Sequence, residues 1–233
     1  MKVFAISDFH LSGRQNKPMD IYGDKWIGHF DKIKEDWCNK VSGEDVVLIA
    51  GDISWAMALE DGLYDLNTMS DLPGKKVFIK GNHDYWWSGI TTLRRRAPDS
   101  TFYFIQNDCV RFGNILIGGS RGWLVPGTPD FNENNKKIYL REAERFKLVF
   151  NGIAKERKEG DKVVCMIHHP PFNAKREDNL FTEMFAQNGV DKVVYGHLHG
   201  VAGRGYPFVC EKAGICYYLT SCDLLDFKLM QIY

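Results

Sequence analysis

Gly81-Asn82-His83-Asp84 sets an amide, an imidazole and a carboxylate side by side, directly after the apolar run Val77-Phe78-Ile79 and before Tyr85-Trp86-Trp87. Such a run reads as a short buried strand, and open α/β sheets gather their ligand-handling groups at strand C-termini. Taken alone the tetrapeptide is equally a turn, because Gly-Asn is common turn chemistry and a His-Asp pair can simply share a hydrogen bond. Four further runs end the same way. Val3-Phe4-Ala5-Ile6 precedes Asp8-Phe9-His10, and Val46-Val47-Leu48-Ile49 precedes Gly51-Asp52. Val163-Val164-Cys165-Met166-Ile167 runs into His168-His169-Pro170-Pro171, and Val193-Val194-Tyr195 into Gly196-His197-Leu198-His199.

The donors at these strand ends are Asp8, His10, Asp52, Asn82, His168, His197 and His199, all oxygen or imidazole with no thiolate. That mixture suits Mn, Fe or Zn better than Ca or Mg, which favour all-oxygen shells. Seven donors are too many for one tetrahedral centre and about right for two divalent ions sharing a carboxylate. Two such ions, two aspartates and a hydroxide leave the site at about +1, a charge that favours a phosphate anion. Paired metals roughly 3.5–4 Å apart are a recurrent solution to phosphate-ester hydrolysis.

The elements that must carry these residues follow from the pattern. Trp26, Phe30, Ile33, Trp37 and Val41 recur at helical spacing, predicting an amphipathic helix from about Asp24. The polar stretch Ser12 to Gly23 is a long loop beside Asp8 and His10, facing either substrate or solvent. Further helices are expected over Trp55 to Met69, Ser88 to Arg96, Lys136 to Lys158 and Phe181 to Gln187. Phe102 to Ile105, Cys109 to Phe112 and Ile115 to Ile117 read as a β-meander, and the segment after Phe208 returns to strands. No repeat or linker interrupts the chain. The expectation is a single α/β domain over residues 1–233, two stacked mixed β-sheets flanked by helices.

Composition narrows the class. Lysine plus arginine equals aspartate plus glutamate at 30 each, so the global basic field usual in a nucleic-acid binder is missing. Arg94-Arg95-Arg96 reads as a solvated helix end, since consecutive residues point in different directions. No apolar run is long enough to cross a membrane, and Met1-Lys2-Val3 leads straight into a strand, so a cytoplasmic protein is expected. The six cysteines form no CxxC pair and read as reduced thiols. Six of the seven histidines fall within the strand-end motifs; His29 lies in the helical pattern and reads as structural.

The blocks D-x-H, G-D, G-N-H-D, strand-end H and G-H-x-H, met in order by Asp8 and His10, Gly51-Asp52, Gly81 to Asp84, His168, and Gly196 to His199, resemble the signature of the calcineurin-like metallophosphoesterase superfamily. The resemblance implies a fold of two mixed sheets between helices. It also implies that Asp8, His10, Asp52 and His199 hold one metal and Asp52, Asn82, His168 and His197 the other, with Asp52 bridging. A bridging hydroxide is then the nucleophile. His83 acts as general acid or stabilises the transition state, and Asp84 orients and charges it. His168 matches the family's single histidine two places before proline; extended backbone ahead of Pro170 turns His169 elsewhere, toward a supporting or pocket-lining place.

The leading expectation is therefore hydrolysis of a small phosphomonoester or phosphodiester, with Arg14, Tyr85, Trp86, Arg121, Trp123 and His169 as candidate substrate contacts. A nuclease or a protein phosphatase would use the same site; nucleic acid is not favoured as partner, given the zero net charge. A non-catalytic protein-binding scaffold is the alternative from another class, and every site residue it would have lost is present. Nothing in the sequence sets the oligomeric state.

Overall fold

The computed structural model describes residues 1–233 apart from the side chain of Arg204. Its first sheet has five strands in the order β11-β1-β2-β3-β4, and the second has six in the order β5-β6-β7-β8-β10-β9. In the first, β1 (Val3–Ile6), β2 (Val46–Ile49), β3 (Lys75–Phe78) and β4 (Phe102–Phe104) run parallel, and β11 (Met230–Gln231) closes one edge antiparallel. In the second, β6 (Ile115–Ser120), β7 (Lys162–Ile167), β8 (Lys192–Tyr195) and β10 (Ile215–Leu219) run parallel. The antiparallel strands β5 (Asp108–Phe112) and β9 (Val209–Lys212) flank them.

Parallel strands covered on both faces read as near-continuous apolar runs, which is why these runs lack polar alternation. Successive side chains still point to opposite faces. Val3, Ala5, Val46, Leu48 and Val77 pack against Ile117, Val164, Met166 and Val194 between the sheets. Phe4, Ile6, Val47 and Ile49 instead meet Ile33 and Trp37 of helix α1 (His29–Lys40) and Leu66 of α2 (Leu59–Asn67). On the outer face of the second sheet, Val163, Cys165 and Val193 pack with Phe146 and Val149 of α4 (Glu133–Glu156) and Phe185 of α5 (Leu180–Gln187). A short α3 (Ile90–Arg95) lies against β4, and α6 (Gly200–Arg204) follows the last histidine motif.

Three expectations change. The meander is split: β4 pairs parallel with β3 in the first sheet, and β5 forms a hairpin with β6 in the second. The chain passes between sheets at Ile105 to Asn107, where Asn107 takes a positive φ of 63°. The helix expected from Asp24 begins at His29, preceded by 3-10 turns at Met19–Tyr22 and Asp24–Trp26. The last strand, expected over Phe227 to Ile232, is only Met230–Gln231, and Asp226 and Phe227 before it adopt left-handed φ values of 51° and 59°.

Candidate metal centre

All five motifs emerge from the C-terminal ends of parallel strands, at one edge of the sandwich. Asp8 and His10 follow β1, Asp52 follows β2, Asn82 and His83 follow β3, His168 follows β7, and His197 and His199 follow β8. The chain turns sharply at these ends: Asp8, His10, Asp52 and His197 have positive φ values of 62°, 49°, 51° and 72°. Left-handed backbone is uncommon outside glycine and persists where surrounding structure holds it, typically at functional sites.

Donor atoms converge in two groups, Asp8–His10–His199 and Asp52–His168–His197, the atoms within each lying no more than 4.8 Å apart. The groups abut. His10 Nε2 lies 3.2 Å from His199 Nε2 and 3.9 Å from Asp52 Oδ2. Asn82 Oδ1 lies 2.7 Å from His168 Nε2 and 2.8 Å from His197 Nδ1. His168 Nδ1 stands 2.8 Å from the Ala50 carbonyl, a partner that can only accept, so this nitrogen carries the proton and Nε2 faces Asp52 at 3.3 Å. Facing imidazole nitrogens around two fully buried carboxylates form a donor set that fits divalent cations.

Charge is strongly coupled here. Burial presses His168 and His199 toward the neutral form, but Asp52, Asp8 and the Ala50 carbonyl together hold His168 at about 9, while Asp8 and Asp223 hold His199 at about 10. His10 and His197, with burial dominant, fall to about 4. Burial alone would raise the two aspartates; His199 carries Asp8 far below the usual carboxylate range, and His168 brings Asp52 to about 2.

His83 is half-buried. Its backbone N–H donates to Asp52 Oδ1 at 2.8 Å, and its ring packs on Trp55 with centroids 4.6 Å apart. Burial lowers its pKa. The ring borders a cavity of about 350 Å³ lined by His10, Asp52, His197 and His199 together with the apolar or aromatic Met19, Tyr22, Trp26 and Trp55. Met19 and Tyr22 bring part of the expected Ser12 to Gly23 loop to the site.

Asp84, expected to orient and charge His83, makes its hydrogen bonds with other partners. Asp84 Oδ1 accepts the N–H groups of Ile53, Ser54 and the Trp86 indole at 2.9, 3.2 and 3.0 Å, and Oδ2 accepts that of Gly81 at 2.7 Å. Burial, reinforced by the Asp52 charge, raises its pKa to about 6. Asp84 thus staples the loop after β2 to the loop after β3. No hydrogen bond to the His83 ring is present among the described residues.

The candidate substrate contacts take varied places. Arg14 pairs with Asp61 at 3.5 Å and covers the Tyr64 ring. Trp86 is 2% exposed and packed under α2. Tyr85 is 59% exposed, edge-on to His83 at 6.5 Å. Arg121 covers the Trp123 ring and reaches Glu142. Trp123 packs on His169, which is buried against His197 at 4.1 Å with neither ring nitrogen partnered. Burial and the neighbouring imidazoles push His169 well below its ordinary pKa.

Two residues escaped sequence reasoning. Asp223 Oδ1 lies 2.7 Å from His199 Nδ1, while its Oδ2 accepts Lys25 Nζ at 2.9 Å and the Gly200 N–H at 3.1 Å. Its position just after β10 is the strand-end signal that exposed the others. Trp55 stacks on His10, centroids 4.5 Å apart.

In fold, the chain is similar to the crystal structure of a protein of unknown function, AQ665, from Aquifex aeolicus: TM-score 0.51 and 16% identity, over 99% of this chain and 95% of that one. It also matches a conserved uncharacterized protein, a predicted phosphoesterase, from Streptococcus pneumoniae TIGR4 at TM-score 0.38 and 14% identity, over 94% of this chain and 71% of that one. No curated protein matches. The family profile described as calcineurin-like phosphoesterase matches residues 1–201, a span that takes in every donor from Asp8 to His199. On that match the chain belongs to the calcineurin-like phosphoesterase family.

Proposed function

We propose that this protein hydrolyses a small phosphomonoester or phosphodiester at a centre of two divalent metal ions, Mn, Fe or Zn. The observation that carries the reading is the abutment of two donor groups beneath His83 in an open cavity. Asp8, His10, Asp52 and His199 would hold one ion, and Asp52, Asn82, His168 and His197 the other. When bound, the ions supply Lewis acidity toward the phosphoryl oxygens and lower the pKa of water near the ester.

The chain's own residues do the rest. His83, fixed through its backbone on Asp52 and through its ring on Trp55, presents a ring N–H to the leaving-group oxygen or to a phosphoryl oxygen as charge develops. Trp26, Trp55 and Met19 offer an apolar wall to the organic part of the ester. Asp84 holds the two loops in register, and Asp223 orients His199.

Metal analysis of protein purified without chelator, with hydrolysis of 4-nitrophenyl phosphate and its bis-ester, tests the reading. About two ions per chain are expected, with His83→Ala retaining them while kcat falls by about 10²- to 10⁴-fold. Asp52→Asn should lose both metal and activity. No metal and no rate after manganese addition would return the chain to the scaffold alternative.

A further inference from the structure

A second cavity, of about 250 Å³, opens beside the candidate centre and is lined by Lys80, Ser88, Arg121, Arg141 and Arg145. Its charge is unbalanced. Arg121 and Arg145 share the one carboxylate of buried Glu142, while Lys80 and Arg141 have no ion-pair partner among the described residues. Two polar atoms of the lining, Ser88 Oγ and Arg121 Nε, are buried without a hydrogen-bond partner. Unpaired buried donors cost free energy unless a ligand or water satisfies them. Four cations around one carboxylate, with idle donors between them, make a cradle for a multiply charged anion.

Its place in the fold says which anion. Lys80 directly precedes Gly81 and Asn82 after β3, and Arg121 directly follows β6, its carbonyl accepting the N–H groups of His168 and His169 at 3.0 and 3.1 Å. β3 neighbours β2, which leads to Asp52, and β6 neighbours β7, which leads to His168. The cavity therefore adjoins the candidate centre: in the first sheet Lys80 shares the end of β3 with Asn82, in the second Arg121 is one strand along from His168, and adjacent strands lie about 4.8 Å apart.

We propose that this cavity binds a second phosphate group of the substrate, so that the enzyme prefers bis-phosphorylated esters. The inference rests on the phosphoesterase reading above. It is tested with the 4-nitrophenyl ester of thymidine 5′-phosphate, with and without a 3′-phosphate, assayed on the metal-loaded protein and on Arg141→Gln, Lys80→Gln and Arg141→Lys. In the wild type the 3′-phosphate should raise kcat/KM by about 10- to 100-fold, chiefly through KM. That ratio should fall toward one in both Gln variants and recover in part in Arg141→Lys. A ratio near one in the wild type, or one unchanged in both Gln variants, overturns the proposal. If neither ester turns over, the phosphoesterase reading fails, and equilibrium dialysis with inorganic phosphate decides the cavity. Binding lost in the Gln variants sustains an anion site there, and equal binding removes it.

Discussion

At the scale of single residues, Asp223 shows how a carboxylate can matter without belonging to either donor group. It is buried, it meets His199 Nδ1, and Lys25 and Gly200 fix it from the other side. Such partners set the tautomer and ring direction of an imidazole ligand and raise its basicity. Asp223→Ala should therefore weaken manganese binding by about 10- to 100-fold, read by competition with a chromogenic chelator. Unchanged affinity would show that His199 is oriented by packing on Trp26 alone. Asp84 works differently, since its four N–H partners make it a fastener between loops.

At the scale of elements, the motif glycines are explained by close approach. A Cβ on Gly81 would overlap Asp52, and one on Gly196 would overlap Ser7 Oγ and Asp8 Oδ2. The strand ends can bring ligands this near only where no side chain intervenes. Gly196→Ala is expected to destabilise by about 1–3 kcal/mol in urea unfolding and to displace Asp8, lowering metal content as well. The β5–β6 hairpin is tied to the entry of β7 by Arg111, whose guanidinium makes two bonds to Asp161, 2.9 and 2.8 Å long. Those bonds, with the Lys158 N–H, bring the Asp161 pKa down to about 2. A carboxylate depressed on folding stabilises fully above its unfolded pKa, near 4, and loses that contribution as pH falls toward 2. The stability gap between wild type and Asp161→Asn should therefore be constant at neutral pH and narrow between about pH 4 and 2; a gap independent of pH across that window would exclude the linkage.

At the scale of the whole molecule, the candidate ligands come from both halves of the sandwich. Asp8, His10, Asp52 and Asn82 belong to the first sheet's strand ends, and His168, His197 and His199 to those of the second. Bound ions would cross-link the two sheets and stabilise the native state by mass action, by about 2.7 kcal/mol at a hundredfold excess over Kd. The thermal midpoint should rise on adding manganese to chelator-treated protein and fall again with EDTA; a midpoint indifferent to both would deny the ions any link between the sheets. No helix is long and apolar enough to cross a membrane among the described residues.

Much of this was legible in the sequence, for a physical reason. A strand buried on both faces leaves a continuous apolar run, and the polar residues that end it stand out, so Asp8, Asp52, Asn82, His168 and His197 could be read directly. What one dimension does not carry is the meeting of residues far apart in the chain. Trp86 beside His83 looked like a substrate contact, yet it fills the space under α2. Asp84 beside His83 looked like its partner, yet its carboxylate closes on backbone N–H groups about thirty residues away. β4 and β5, adjacent in sequence, part into different sheets. Asp223 reaches His199 because β8 and β10 end at a common edge, and Lys80 and Arg141 come to one cavity because α4 packs against β6 beside the strand ends; burial and hydrogen-bond geometry, unlike residue type and spacing, exist only once the chain has closed on itself.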